Sequence, residues 1–307
     1  ITSYIYRKAL YQCFDGFDKY FIPFIRAKQN LNFSGREKKD ISPENNSGMY
    51  AVPQILTRNA DDFLRTANQL KEYGYQEVNL NLGCPSKTVV TKGCGAGFLA
   101  RPEELEQFLD RIYSKTDMKI SVKTRLGMEN AEEFPRLMEI YNRFPMEELI
   151  IHPRVQKDFY KNIPNLEIFG EALAISKNPV CYNGDIFSAE DAIKCLEQTK
   201  CDGLMLARGV RGNPWLFAEI KQALMQYDAG EEIQISKPQL SEVVEMIRRH
   251  GRMQVEYKGG AIGIREMRKH VAWYTAGFPH SAKLRAAINQ VESLQELEQM
   301  LNEWERG

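Results

Sequence analysis

Seven short apolar-rich stretches read as strands, two of them (QEVNLNL and MKISVKT) with apolar and polar positions alternating at a period of two, and between most of them the period lengthens to that of an amphipathic helix. The strand-like stretches fall at residues 19–27, 49–56, 76–82, 118–124, 147–152, 178–184 and 202–209. Segments such as NADDFLRTANQLKEYG, RPEELEQFLDRIYSK, NAEEFPRLMEIYNRF and SAEDAIKCLEQT follow them with helical spacing. Strand and helix in alternation predict parallel strands joined by right-handed crossovers. A doubly wound open sheet and a (β/α)8 barrel both satisfy that pattern. A barrel takes eight strands, and seven follow an opening, ITSYIYRKALYQC, that reads as a helix with a Thr or Ser cap. The count therefore favours an α/β chain built as a (β/α)8 TIM barrel that lacks its first strand, the missing one lying just before Ile1.

From about Ser236 the strand signals stop and the rest of the chain is helical in period. This predicts a barrel domain over 1–232 and a small C-terminal helical domain over 236–307, with the boundary near Glu231 to Pro238. Residues 29–48, QNLNFSGREKKDISPENNSG, are polar and punctuated by Gly and Pro, and predict an exposed, mobile loop at the barrel mouth.

Composition narrows the class. With 307 residues, 43% of them hydrophobic, the chain can bury one large core and carry a small appendage. Its cysteines (Cys13, Cys84, Cys94, Cys181, Cys195 and Cys201) are irregularly spaced, with no CxxC pair and no His-rich run, which speaks against a zinc site or a disulfide framework and for a reducing cytoplasm. No apolar run is long enough for a membrane span and no signal-like segment opens the chain, so a cytosolic protein with no metal is expected.

In a parallel barrel the reactive groups project from the C-terminal strand ends and the loops beyond. Read in that way, the ends are Gln54; Asn81 with Cys84; Lys123 with Arg125; His152 with Arg154; Asn183 with Gly184 and Asp185; and Arg208 with Gly209. Any one of these could simply finish a strand with a hydrogen bond, but polar groups at six consecutive ends are costly unless used. The last two loops, NGDI and ARGVRGNPWLF, supply glycines, an arginine and a short helix start, an arrangement that holds a phosphate. Lys123 on an inner strand end then suits a cation facing the anionic ring of a reduced flavin. His152 is either a second donor there or a core histidine bonded to backbone.

The stretches EVNLNLGCPSKTVVTKGCGAGFLARPEEL, ISVKTRLG, IIHPR, YNGDI, DGLMLARGVRGNPWLF and REMRKHVAWYTAGFPHSAKLR resemble, in order and spacing, the tRNA-dihydrouridine synthases, and the resemblance runs the length of the chain. It implies that NADPH reduces bound FMN, and that the reduced flavin passes hydride to C6 of a tRNA uridine while an acid protonates C5. The resemblance makes Cys84 that acid, with Cys94 as a lesser rival, and gives Asn81 to the flipped uracil. It gives Gln54, Lys123, His152, Asn183, Gly184, Asp185, Ala207, Arg208 and Gly209 to FMN. Arg125 is a flavin or RNA contact, and Arg154 stands in HPR, where HGR or HAR is the commoner form. A free thiol is mostly protonated at neutral pH and so can donate to a carbanion-like carbon.

An RNA-binding chain should be basic somewhere, and 41 basic against 41 acidic residues leaves no net charge. The charge is unevenly placed: between Arg248 and Arg285 nine Lys or Arg stand against two acids, a net of +7, while residues 286–307 hold five Glu and one Arg, a net of −4. On a helix Arg265, Arg268 and Lys269 share a face that can follow a phosphate backbone, with Lys283 and Arg285 beyond them. His270, Trp273 and Tyr274 alongside are expected in the core. The expected partner is tRNA and the expected state a monomer. Two rivals remain: a flavin barrel acting on a small pyrimidine or enone-like molecule, and a non-catalytic RNA-binding protein.

Overall fold

All six residues of the stretch Glu77–Leu82 are buried, on both faces, as the central strand of a covered parallel sheet requires. The computed structural model describes residues 3–14, 17–27 and 32–306. Its strands are β1 (Tyr20–Arg26), β2 (Ala51–Leu56), β3 (Glu77–Leu82), β4 (Lys119–Arg125), β5 (Leu149–His152), β6 (Val180–Tyr182) and β7 (Gly203–Leu204), which lie in sequence order in one parallel sheet. The helices are α1 (Tyr4–Cys13), α2 (Gly35–Ile41), α3 (Ala60–Glu72), α4 (Lys87–Val90), α5 (Pro102–Tyr113), α6 (Phe134–Tyr141) and α7 (Leu166–Ile175). After them come α8 (Ala189–Thr199), α9 (Arg208–Gly212), α10 (Leu216–Asp228), α11 (Leu240–Lys258), α12 (Gly260–Tyr274), α13 (Ser281–Ala287) and α14 (Leu294–Arg306). Strand after strand with a helix between is the TIM-barrel order, with seven strands among the described residues.

The chain divides into two compact units, one of Lys19–Ile186 with Asp191–Ala207, the other of Ile1–Asp18, Phe187–Glu190 and Arg208–Gly307. The second unit therefore contains α1 and α9 to α14.

In the sheet unit, register decides which side chains share a face. Gln54 pairs with Asn79 and Asn79 with Ser121; Asn81 pairs with Lys123, Lys123 with Ile150, Ile150 with Cys181 and Cys181 with Gly203; Arg125 pairs with His152. Paired residues of parallel strands point the same way, so one face is polar toward its C-terminal end. The opposite face, with Val78, Leu80, Ile120 and Val122 wholly or almost wholly buried, meets the helices. There Phe108 of α5 takes Phe63 of α3 and Phe98 edge-on at 5.9 and 5.4 Å. At the start of β3, Glu77 is buried because Lys19 and the Tyr50 hydroxyl, at 3.2 and 2.8 Å, meet its carboxylate.

Two expectations change. The polar stretch 29–48 is not a structureless loop: Ser34 and Glu37 form a reciprocal capping box that starts α2, and a 3-10 turn follows at Pro43–Asn46. Ile41 is fully buried and Asn46 donates to the Asp40 and Ser42 carbonyls at 3.0 and 2.8 Å, so capping chemistry outweighs the polar composition. Residues 28–31 lie outside the described residues. The last strand is also shorter than the stretch 202–209, because Arg208 already begins α9.

In the helical unit, α1 buries Ile5, Tyr6, Ala9 and Leu10. The Tyr6 hydroxyl donates to the Val210 carbonyl at 2.9 Å, and its ring stacks on His270 at 5.5 Å. His270 meets His250 at 4.5 Å between ring centroids, and His250 is bracketed by Tyr274 and Gln254 at 3.1 and 3.0 Å. Among the described residues no helix is long and apolar enough to cross a membrane, and no group of His, Cys, Asp or Glu could hold a metal ion.

Burial, reinforced by Lys269, Lys258 and Arg211, pushes His270 down to about 3. Burial, and then its neighbour His270, puts His250 well below the usual range. Both histidines are neutral when folded, so as pH falls below about 6.5 the unfolded chain takes up protons that the folded chain refuses. Stability of the helical unit should fall by up to about 1.4 kcal/mol per pH unit for each histidine. Urea unfolding followed between pH 7 and pH 5 should show that slope, and His270→Gln should roughly halve it.

Candidate active site

The loop after β3 is fixed by one carboxamide. Asn81 Oδ1 accepts the backbone N–H groups of Gly83 and Cys84 at 3.2 and 2.9 Å, an Asx-type turn that takes the chain out of the sheet. With its oxygen committed, Asn81 Nδ2 donates to Gln54 Oε1 at 2.6 Å; Gln54 Nε2 then donates to Asn79 Oδ1 at 2.8 Å, and Asn79 Nδ2 to Ser121 Oγ at 2.9 Å. Each amide's orientation follows from the one before it. Gln54 and Asn81, expected at the ligand, thus hold each other as well, and Asn79 and Ser121 join them. Local spacing does not single out the last two, since only pairing register brings them together.

Cys84 is half-buried. Its carbonyl accepts the Ala96 N–H at 3.1 Å, and the Pro85 carbonyl accepts Gln156 Nε2 at 3.0 Å. Gly95 lies against it with φ of +56°, and a Cβ there would stand 2.9 Å from the Cys84 oxygen and from Val89. The thiol-bearing loop is therefore clamped on three sides. Cys94, the lesser candidate, is also half-buried, its sulfur directed to the Lys92 carbonyl at 3.7 Å. Cys181, Cys195 and Cys201 are buried, as expected of core cysteines, while Cys13 is half-buried.

Lys123 reaches Asn183 Oδ1 at 2.7 Å, and Asn183 Nδ2 donates to the Met205 carbonyl at 2.8 Å. Burial, and after it the Arg125 cation, pushes this lysine down to about 8. Among the described residues no carboxylate pairs with it. Two of its three N–H donors remain after Asn183 is served, so an anionic group fits beside it.

Arg125 is 1% exposed, and its guanidinium is shared among the carbonyls of Gly83, Val155 and Phe159 at 3.0, 2.9 and 2.8 Å. It staples the β3 loop to the β5 loop. Arg154 is equally buried: it meets both Asp185 oxygens, the Asn162 carbonyl and, at 3.0 Å, His152 Nε2. A guanidinium can only donate, so His152 Nε2 accepts and the ring proton sits on Nδ1. Gly184, ahead of Asp185, has no room for a side chain, since a Cβ would lie 2.8 Å from the Tyr182 hydroxyl. Tyr160, unmarked in the sequence reading, stacks over His152 at 6.2 Å and lies beneath the Arg125 guanidinium at 5.5 Å, with half its surface exposed.

The remaining candidates belong to two units. Ala207 is exposed in the sheet unit, and in the helical unit Arg208 lies over the Phe187 ring at 5.5 Å with Gly209 buried beside it. The basic face is more occupied than its charge count suggests. Arg268 donates twice to the Val291 carbonyl, at 3.3 and 2.9 Å; Lys269 pairs with Glu266 at 2.6 Å, and Arg285 donates to Ser281 at 2.8 Å. Arg248 and Arg252 pair with Glu298 of the acidic α14. Arg265 and Lys283 are exposed. Tyr274 is in the core, and Trp273, half-buried, carries the Arg211 guanidinium on its face at 4.7 Å.

A family model described as Dihydrouridine synthase (Dus) matches residues 5–306. Among curated relatives, a probable tRNA-dihydrouridine synthase 1 of a Synechocystis strain is 32% identical over 253 residues, covering 81% of this chain and 69% of that protein. A tRNA-dihydrouridine synthase B of Pseudomonas putida is 32% identical over 243 residues, covering 79% and 71%. Two solved structures share the fold. Histamine dehydrogenase from a Rhizobium species superposes with a TM-score of 0.53 at 12% identity, over 82% of this chain and 46% of that one. 6-Hydroxypseudooxynicotine amine oxidase from Pseudomonas geniculata gives 0.50 at 10%, over 76% and 48%. The chain thus spans about half of those two solved chains.

Gly95→Ala tests the clamp. It forces a side chain into the left-handed region and against the Cys84 carbonyl, and should cost about 1–3 kcal/mol in urea unfolding. The displaced loop should also change the rate at which Cys84 reacts with a soluble disulfide reagent, read against Cys84→Ala as the blank.

Proposed function

Because the chain belongs to the dihydrouridine synthase family, we propose that it reduces a uridine of tRNA to 5,6-dihydrouridine, with Cys84 as the proton donor. The observation that carries this reading is the clamped half-buried thiol at the end of β3, on the polar face whose neighbouring strand presents Lys123.

FMN, reduced by NADPH, would supply the hydride for C6 of the ring. Within the sheet unit Gln54, Lys123, His152 and Asn183 are the groups that would hold its ring, and Gly184, Asp185 and Ala207 its phosphate end. The fit rests on Lys123, whose ammonium lacks a carboxylate partner and favours an anion. His152 is held in aim by Arg154, whose Nη1 meets its Nε2 at 3.0 Å.

Cys84 gives its proton to C5 from a loop that Asn81 and Gly95 prevent from swinging away. Asn81 positions the thiol and keeps a second Nδ2 hydrogen for a uracil carbonyl. Tyr160 offers a half-exposed ring on which a base can lie. Arg125 and Arg154 keep the two loops that frame the uracil in register. Of the five basic candidates in the helical unit, Arg265 and Lys283 are exposed and would meet phosphates, with Lys269 screened by Glu266. Arg268 and Arg285 are partly committed within that unit.

The pairing of so many basic side chains favours, as a second reading, a small pyrimidine or enone-like substrate that needs no RNA surface. Anaerobic mixing separates the two. Flavin absorbance of the NADPH-reduced enzyme should recover on addition of unmodified tRNA and not of free uridine; recovery with free uridine alone would establish the small-molecule reading.

In the same assay Cys84→Ala should keep NADPH-driven flavin reduction and lower dihydrouridine formation by about 10²–10⁴-fold. Normal turnover of this variant on tRNA would remove Cys84 from the mechanism.

Lys123 is charged below about 8 and loses its proton above it, so its hold on an anion weakens as pH rises. An anion in place raises that value in turn. FMN affinity measured from pH 7 to pH 9 should fall, approaching about tenfold per unit above the transition if one proton is linked. Lys123→Arg should flatten the profile, because a guanidinium does not titrate there.

A further inference from the structure

The loop that carries Cys84 ends in a second basic cluster, within the sheet unit. Gly93 has φ of +66° and lies so close to Arg58 that a Cβ would stand 3.2 Å from its Cδ and 3.8 Å from Arg101 Nη1. The half-buried thiol of Cys94 senses the same charges: burial pushes it up, while Arg58, Arg26 and Lys92 pull it down. These four cations come from the C-terminal end of β1, the end of β2 and the loop after β3. The acid that pairs within the cluster is Glu104, at 4.0 Å from Arg58 and 3.3 Å from Arg101. With side chains 48% and 45% exposed, Arg58 and Arg101 face solvent, and Lys92 is exposed beside them. Among the described residues no carboxylate pairs with Arg26 or Lys92, which leaves the cluster with an excess of positive charge.

We propose that Arg26, Arg58, Lys92 and Arg101 form a phosphodiester clamp that grips the RNA backbone beside the extruded uridine. The inference rests on the tRNA reading above. It follows from where the cluster stands. Ala96, two residues past Cys94, donates to the Cys84 carbonyl at 3.1 Å, and Gly95 packs on Cys84 itself, so the segment that bears the thiol also bears Lys92 and Arg101, with Arg58 packed against it at Gly93. A base drawn out of its stack pulls its own phosphates toward the site. Lys92 and Arg101 on the thiol-bearing segment, with Arg58 packed on it, hold those phosphates at a set distance from the acid. The clamp reads backbone and not sequence, and so serves any extruded pyrimidine.

Binding of an unmodified tRNA transcript, measured by filter retention from 50 to 300 mM KCl, tests the clamp. The double variant Arg58→Ala, Lys92→Ala should raise Kd about tenfold at the low end and make the log–log salt slope shallower by roughly 1.4 to 1.8, the loss of two phosphate contacts. Arg58→Lys with Lys92→Arg should restore the slope, and Lys92→Glu alone should weaken binding in the same direction. NADPH-driven flavin reduction should be unchanged in all of them. An unaltered slope in the double variant, with the wild type binding tRNA normally, overturns the clamp and leaves the function standing. A higher NADPH requirement at unaltered tRNA affinity also overturns it and assigns the cluster to the dinucleotide phosphates. A wild type that neither binds tRNA nor is reoxidised by it brings down the function, and the clamp with it.

Discussion

The Asn81 carboxamide sets the arrangement of the polar face. Two backbone N–H groups, of Gly83 and Cys84, leave the strand with no ladder partner, and an unmatched buried amide is costly. Asn81 Oδ1 receives both, which ends β3 and turns the thiol out of the sheet in one step. That commitment then fixes a direction: the opposite end of the side chain must donate, Gln54 must accept from it and donate onward, and Asn79 must do the same toward Ser121. Hydrogen bonds in a chain of this kind polarise one another, so the line across β2, β3 and β4 is stiffer than its separate members. A thiol aimed by such a line keeps its position without a neighbouring base to hold it.

The strands and their order were legible in the chain because burial on both sides leaves long apolar runs with Gly or polar residues at their ends. Caps were less legible. The box of Ser34 with Glu37 was present in the sequence, yet its polar surroundings read as loop, and the burial of Ile41 depends on the Tyr75 hydroxyl reaching the Ile41 carbonyl at 2.8 Å from 34 residues away. The site divides along the same line. Cys84, Lys123 and His152 were visible as ionisable groups at strand ends. Asn79, Ser121 and Tyr160 acquire their places from register or from a loop path, and neither is written in local spacing.

Charge shows the limit of counting. The stretch from Arg248 to Arg285 is basic and the end of the chain acidic, but α11 packs on α14 and brings Arg248 and Arg252 onto Glu298. Two opposite runs therefore cancel across a helix pair, and Arg268 is used to hold the Val291 carbonyl. An exposed pair is worth little to stability, but it lowers the field that a phosphate backbone feels. On the sheet unit the opposite holds, because Arg26, Arg58, Lys92 and Arg101 are distributed over three loops and pass unnoticed in any single window of sequence.

Buried cations occur on this face in two forms. Arg125 and Arg154 are desolvated, and each recovers its hydration from carbonyls or from Asp185; removing either would strand several acceptors at once. Lys123 recovers one hydrogen bond, to Asn183, and its proton is correspondingly loose. A fold that satisfies two arginines so completely while leaving a lysine of the same sheet partly unmet has placed its unspent electrostatic energy at one point. That point lies on the strand beside Asn81, and an anion arriving there gains what the folded chain alone does not supply.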